Sequence, residues 1–133
     1  MADFNDPTRI KRLGYRNGTA LAAANFALSA GFGSTASVSA VLTGSTDMMG
    51  QITITSAGTG QGASPTCTLT FADGAFRADD GTALSPLAVV QRNGGSQVTV
   101  DFTWSSTSTT LVLTLAGTPV AAQTFTVAWQ LGA

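Results

Sequence analysis

Histidine and glutamate are absent from this chain, and cysteine and lysine occur once each, as Cys67 and Lys11. Charged residues make up only 10% of the 133 positions, against about 25% in average soluble proteins. Each shortage closes a class of chemistry. Without histidine there can be no Ser-His-Asp or Cys-His arrangement, and the commonest transition-metal ligand is missing. A single cysteine builds neither a disulfide framework nor a thiolate zinc site. Cys67 lies between Thr66 and Thr68 on an inward strand position and reads as a buried, inert thiol, which fits assembly in a reducing cytoplasm.

A glycosidase needs two carboxyls flanking one bond, but Asp73, Asp79 and Asp80 lie beside turn glycines. Aspartate there bonds its own backbone; a weak calcium site is the minor alternative. The run Gly58-Thr59-Gly60-Gln61-Gly62 lacks the Lys-Ser/Thr and the helix of a phosphate loop, so it reads as an interstrand loop. No cofactor, metal or catalytic residue is expected. Mean hydropathy is +0.25, yet no apolar run approaches the ~20 residues that span a bilayer. Residues 1–18 also lack the apolar core of a signal peptide.

What is present is Thr, Ser, Gly and Ala, and a period of two. Ile52 and Ile54 alternate with Thr53 and Thr55; Cys67, Leu69 and Phe71 alternate with Thr66, Thr68 and Thr70. Val98, Val100, Phe102 and Trp104 form a third such series. Leu111, Leu113 and Leu115 form the fourth, and Phe125, Val127 and Trp129 the fifth. Such alternation puts one face of each strand in a core and covers the other with hydroxyls. Trp104 and Trp129 are in the inward phase, so core packing is expected for both rather than carbohydrate stacking. Turn signals at Asp73-Gly74, Asp80-Gly81, Asn93-Gly94-Gly95 and Gly117-Thr118-Pro119 separate the runs. With the shorter runs Val38–Leu42 and Leu87–Gln91 the expectation is an all-β, antiparallel β-sandwich or jelly roll of 7–8 strands.

The charge is divided unevenly. Residues 1–18 hold Arg9, Lys11, Arg12 and Arg16 against Asp3 and Asp6, net +2; the rest holds Arg77 and Arg92 against Asp47, Asp73, Asp79, Asp80 and Asp101, net −3. We read residues 1–30 as an N-terminal arm, basic over 9–16 and Ala-rich over 19–30, and residues 31–133 as the sandwich domain. The Ala-rich part suits a helical turn or an extended segment, with a slight preference for the turn. A chain of pI about 4.8 lacks the profile of a nucleic-acid binder. Arg9, Lys11, Arg12, Tyr15 and Arg16 are therefore candidates for docking on an acidic protein surface.

From Gly31 onward the order of motifs resembles a known module. Gly31-Phe32-Gly33-Ser34 leads into Gly44-Ser45-Thr46-Asp47 and Gly50-Gln51-Ile52-Thr53-Ile54. A Gly-rich loop, Pro65, Thr68-Leu69-Thr70-Phe71, Ala88-Val89-Val90-Gln91-Arg92-Asn93 and a strand closing on Trp129 follow. This resembles the β-sandwich module of bacteriophage tail fibres, tailspikes and related virion proteins, which usually forms trimeric knobs and carries no catalytic residues. The resemblance implies a virion component assembled in the host cytoplasm, a homotrimer whose partners are the major capsid protein or other virion proteins, with neither nucleic acid nor membrane bound. In tail fibres a shaft or tail-anchoring region precedes the module, whereas some thirty residues precede it here. A capsid decoration (cement) protein held by its arm is thus the first expectation. A small receptor-binding tip or tail adaptor is the second, and a free carbohydrate-binding module the third.

Overall fold

The computed structural model describes residues 18–78, 80–95 and 102–132. Among these residues eight strands form two four-stranded antiparallel sheets. One has the order β1 (Phe26–Leu28), β4 (Thr66–Thr70), β7 (Thr110–Leu115), β6 (Phe102–Ser106). The other runs β2 (Ser37–Val41), β3 (Met49–Thr55), β8 (Thr124–Gly132), β5 (Leu87–Gly95). The connections β2–β3 and β6–β7 are hairpins, and the other five cross from one sheet to the other. The two sheets are therefore interleaved along the chain, and most contacts that hold them are distant in sequence.

The core follows the period of two. Ile52, Ile54, Phe125, Val127 and Trp129 of one sheet meet Cys67, Leu69, Leu111, Leu113 and Leu115 of the other, all buried in one cluster. Aromatic rings bridge the layers edge-to-face. Phe26 meets Trp129 at 5.8 Å between centroids, and Phe102 meets Phe125 at 5.9 Å, geometries that place a positive ring edge on a negative face.

The Ala-rich segment departs from its propensity. Two single 3₁₀ turns, Ala23–Asn25 and Ala30–Phe32, flank strand β1, whose Phe26, Ala27 and Leu28 pair with Leu69, Thr68 and Cys67. A helix of this length gains little alone. The open edge of β4 offers backbone partners, and burial of Leu21 and Phe26 adds an apolar term that a solvated helix would forgo. The helical turn is present but lasts only three residues at a time.

Trp104 requires a correction. It keeps the expected inward phase, opposite buried Leu113, yet it is 43% exposed rather than in the core. The cause is position: β6 is an edge strand, so the large indole overhangs the side of the sandwich. Its N–H donates to the Ala88 carbonyl of β5 at 2.9 Å, and beside it the Ser106 hydroxyl donates to the Pro86 carbonyl at 2.5 Å. These two bonds close that flank between the sheets.

Candidate functional site

The segment Ser45-Thr46-Asp47-x-x-Gly50 forms the β2–β3 turn, and its residues have separable tasks. The Thr46 N–H donates to the Met49 carbonyl at 2.9 Å, which closes the turn. The Ser45 hydroxyl accepts the Gln51 N–H at 3.2 Å. Asp47 is wholly buried; its two carboxylate oxygens accept the N–H groups of Ala72 and Asp73 at 2.8 and 2.9 Å. Its backbone carbonyl accepts the indole N–H of Trp129 at 3.3 Å. A buried carboxylate needs such donors, because an unpaired charge away from water is costly. Asp47 thus ties the hairpin of one sheet to the end of β4 in the other. Gly50 permits the approach: a Cβ there would lie 2.5 Å from Trp129 Cζ2 and 2.6 Å from Ser45 Cβ.

The next link reaches the N-terminal segment. The Asp73 carboxylate accepts the N–H of Gly18 at 3.0 Å and the hydroxyl of Thr19. Three residues on, the Leu21 N–H donates to the Ser45 carbonyl at 2.9 Å. The place where the basic segment joins the sandwich is therefore held by the Asp47–Asp73 pair and by Ser45. Arg9, Lys11, Arg12, Tyr15 and Arg16 themselves lie outside the described residues, as do Asp79 and Asp101.

The other loop carboxylate behaves as a turn residue: Asp80 Oδ1 accepts the Thr82 N–H at 2.9 Å. In the Gly58–Gly62 loop, the Thr59 N–H is engaged by Ser34 Oγ at 3.2 Å and the Gly62 N–H by the Gly31 carbonyl at 3.0 Å. These groups hold the loop to the 31–34 segment instead of facing a phosphate. Among the described residues no three His, Cys, Asp or Glu side chains gather into a metal-sized group. Burial raises the Cys67 thiol to about 12, which leaves it a thiol at physiological pH.

The remaining feature is a face. On the outside of sheet β2–β3–β8–β5 a shallow concavity of about 410 Å³ is bordered by Leu42, Met49 and Val89, with Gln51, Gln91 and Gln130 among its polar groups. Sequence pattern alone does not reveal it, because it combines the β2–β3 turn with rows from β3, β5 and β8, which are far apart in the chain. No known protein family, curated protein or solved structure matches the chain.

Proposed function

We propose that this chain is a non-enzymatic structural subunit of a bacteriophage particle, a capsid decoration protein that binds the shell as a trimer through its basic N-terminal segment. The observation that carries this reading is the anchor: Gly18 and Thr19 are fastened to Asp73, itself bonded to buried Asp47. A rigid root gives an attachment segment a defined exit point, which limits the entropy lost when it docks. The segregation of charge supports the same reading. Asp73, Arg77 and Asp80 sit between β4 and β5, and among the described residues Arg92 is the sole charged one in the strands of either sheet. A partner with surface carboxylates would thus meet its complement in Arg9, Lys11, Arg12 and Arg16.

Density for the intact particle is the test. Trimers at the local three-fold positions of the shell are expected. Copies confined to the tail would replace this reading with a receptor-binding tip or tail adaptor. Exposure of Trp104 favours the carbohydrate-binding alternative in one respect, since a sugar could stack on its ring. The ring is not among the residues that line the concave face, however, and its N–H is already engaged by Ala88.

A further inference from the structure

We infer that the outer face of sheet β2–β3–β8–β5 is the surface through which copies of this chain associate. The inference deepens the trimer reading above by assigning the interface, and it stands or falls independently of where in a particle the protein sits.

Strand register defines the face. Val89 pairs with Gln130, and Gln130 with Met49; the next outward row joins Gln91, Ala128 and Gln51, with Leu42 hydrogen-bonded beside Gln51. Leu87 extends the first strand outward. Leu42 and Met49 are each 57% exposed, Val89 68% and Leu87 70%, so four large apolar side chains face water at one end of a single sheet. Toward the other end Thr53 and Thr126 share a hydroxyl–hydroxyl bond of 3.1 Å, and the rows become hydroxyl-covered.

Charge decides the occupant. None of these outward positions is charged, so a basic or acidic partner would find nothing to complement it, and desolvating its charges there would be unfavourable. A second copy is different. Glutamine amides carry both donor and acceptor and can bond the amides of neighbouring copies in a ring around a three-fold axis, whereas charged side chains would meet their like there. Size is also adequate. The strands have 5, 7, 9 and 9 residues, and at about 3.4 Å per residue and about 4.8 Å between strands they present roughly 500 Å² in projection; the accessible area of such a corrugated face exceeds its projection and moves toward the ~800 Å² per partner of a stable interface. The outer face of the other sheet carries Thr66, Thr68, Thr110 and Thr114 and none of the large exposed apolar side chains.

Light scattering on the full chain at micromolar concentration tests the assignment. The expected mass is that of three 13.4 kDa chains. Val89→Lys and Met49→Lys should weaken association at least tenfold. Val89→Ser should weaken it less, because it removes apolar contact without adding charge. Val120→Lys, at an equally exposed site in the β7–β8 loop, and Thr68→Lys, on the opposite sheet, should leave the mass unchanged. Thermal unfolding of each variant shows whether its fold is kept. A monomeric wild type overturns the inference. So does a folded Val89→Lys and Met49→Lys pair that keeps the wild-type mass, or dissociation by Thr68→Lys alone. A dimer sensitive to Val89→Lys keeps the face and discards the stoichiometry. Binding to particles is read separately, so the virion reading can fail while the interface survives.

Discussion

Asp47 and Asp73 are connected in series: the carboxylate of the first accepts the backbone N–H of the second at 2.9 Å, and the carboxylate of the second holds Gly18 and Thr19. One buried acid thereby fixes both the joint between the two sheets and the root of the basic segment.

Removing the inner member should be expensive. Asp47→Ala leaves the N–H groups of Ala72 and Asp73 without their carboxylate partners in a buried site, a loss of about 3 kcal/mol. Asp47→Asn keeps one acceptor oxygen and should cost less. Urea midpoints of the two variants check the order; equal midpoints for Asp47→Ala and wild type would remove this residue from the framework.

Gly50 is predicted to be intolerant for reasons of space. Gly50→Ala drives a Cβ into Trp129 and Ser45, and overpacking of this kind costs about 1–3 kcal/mol. Gly62 is the control, since a Cβ there would come no closer than 3.7 Å to Gly31 Cα. Gly62→Ala should change stability by no more than about 0.5 kcal/mol. Calorimetric melting of the two variants makes the comparison.

Leu113 lies on central strand β7, buried between Cys67 on one side and Trp104 on the other. Leu113→Ala should lower stability by about 2–5 kcal/mol, through lost transfer energy and the cavity left behind. An unmoved denaturation midpoint would contradict the packing described.

Cys67 should be unreactive toward thiol reagents in the folded protein and react once denatured. Its folded-state value near 12 lies above the ordinary 9.0. Between those values the unfolded thiol loses its proton while the folded one keeps it. Stability from this group is therefore complete below about pH 9 and falls as pH rises toward 12, by at most ~1.4 kcal/mol per pH unit. Cys67→Ser should flatten that part of the stability profile.

The basic segment is tested by truncation. A chain lacking residues 1–16 retains Gly18, Thr19 and their Asp73 acceptor, and should fold and self-associate normally while losing attachment to particles. Attachment of the full chain should weaken as salt rises, because the exposed pairs are screened. Normal decoration by the truncated chain would show that attachment lies elsewhere, and loss of the oligomer would place the segment on a neighbouring subunit.

The alternation at Ile52–Ile54, Cys67–Phe71, Leu111–Leu115 and Phe125–Trp129 determined the strands, their inward faces and most of the core, because side-chain direction along a strand is a local property of the backbone. Gly74, Gly81 and Gly117 marked breaks for the same local reason, whereas the turn expected at Asn93-Gly94-Gly95 is absent: β5 continues to Gly95 with an irregularity between Arg92 and Gly94, because β8 offers backbone partners there. Tertiary structure alone decided the rest. Phe26–Leu28 became a strand because β4 offered an edge, against the preference of the alanines in and around it. Trp104 is inward in phase yet exposed because its strand ended at the border of a sheet. Asp47 became a joint rather than an ordinary turn residue because residues 72 and 73 fold back onto it. The uncharged face arose from Leu42, Met49, Val89 and Gln130, brought together only when β5 and β3 both paired with β8. Periodicity states which way a side chain points; which strand lies beside it depends on long-range pairing, and that is settled by the whole chain at once.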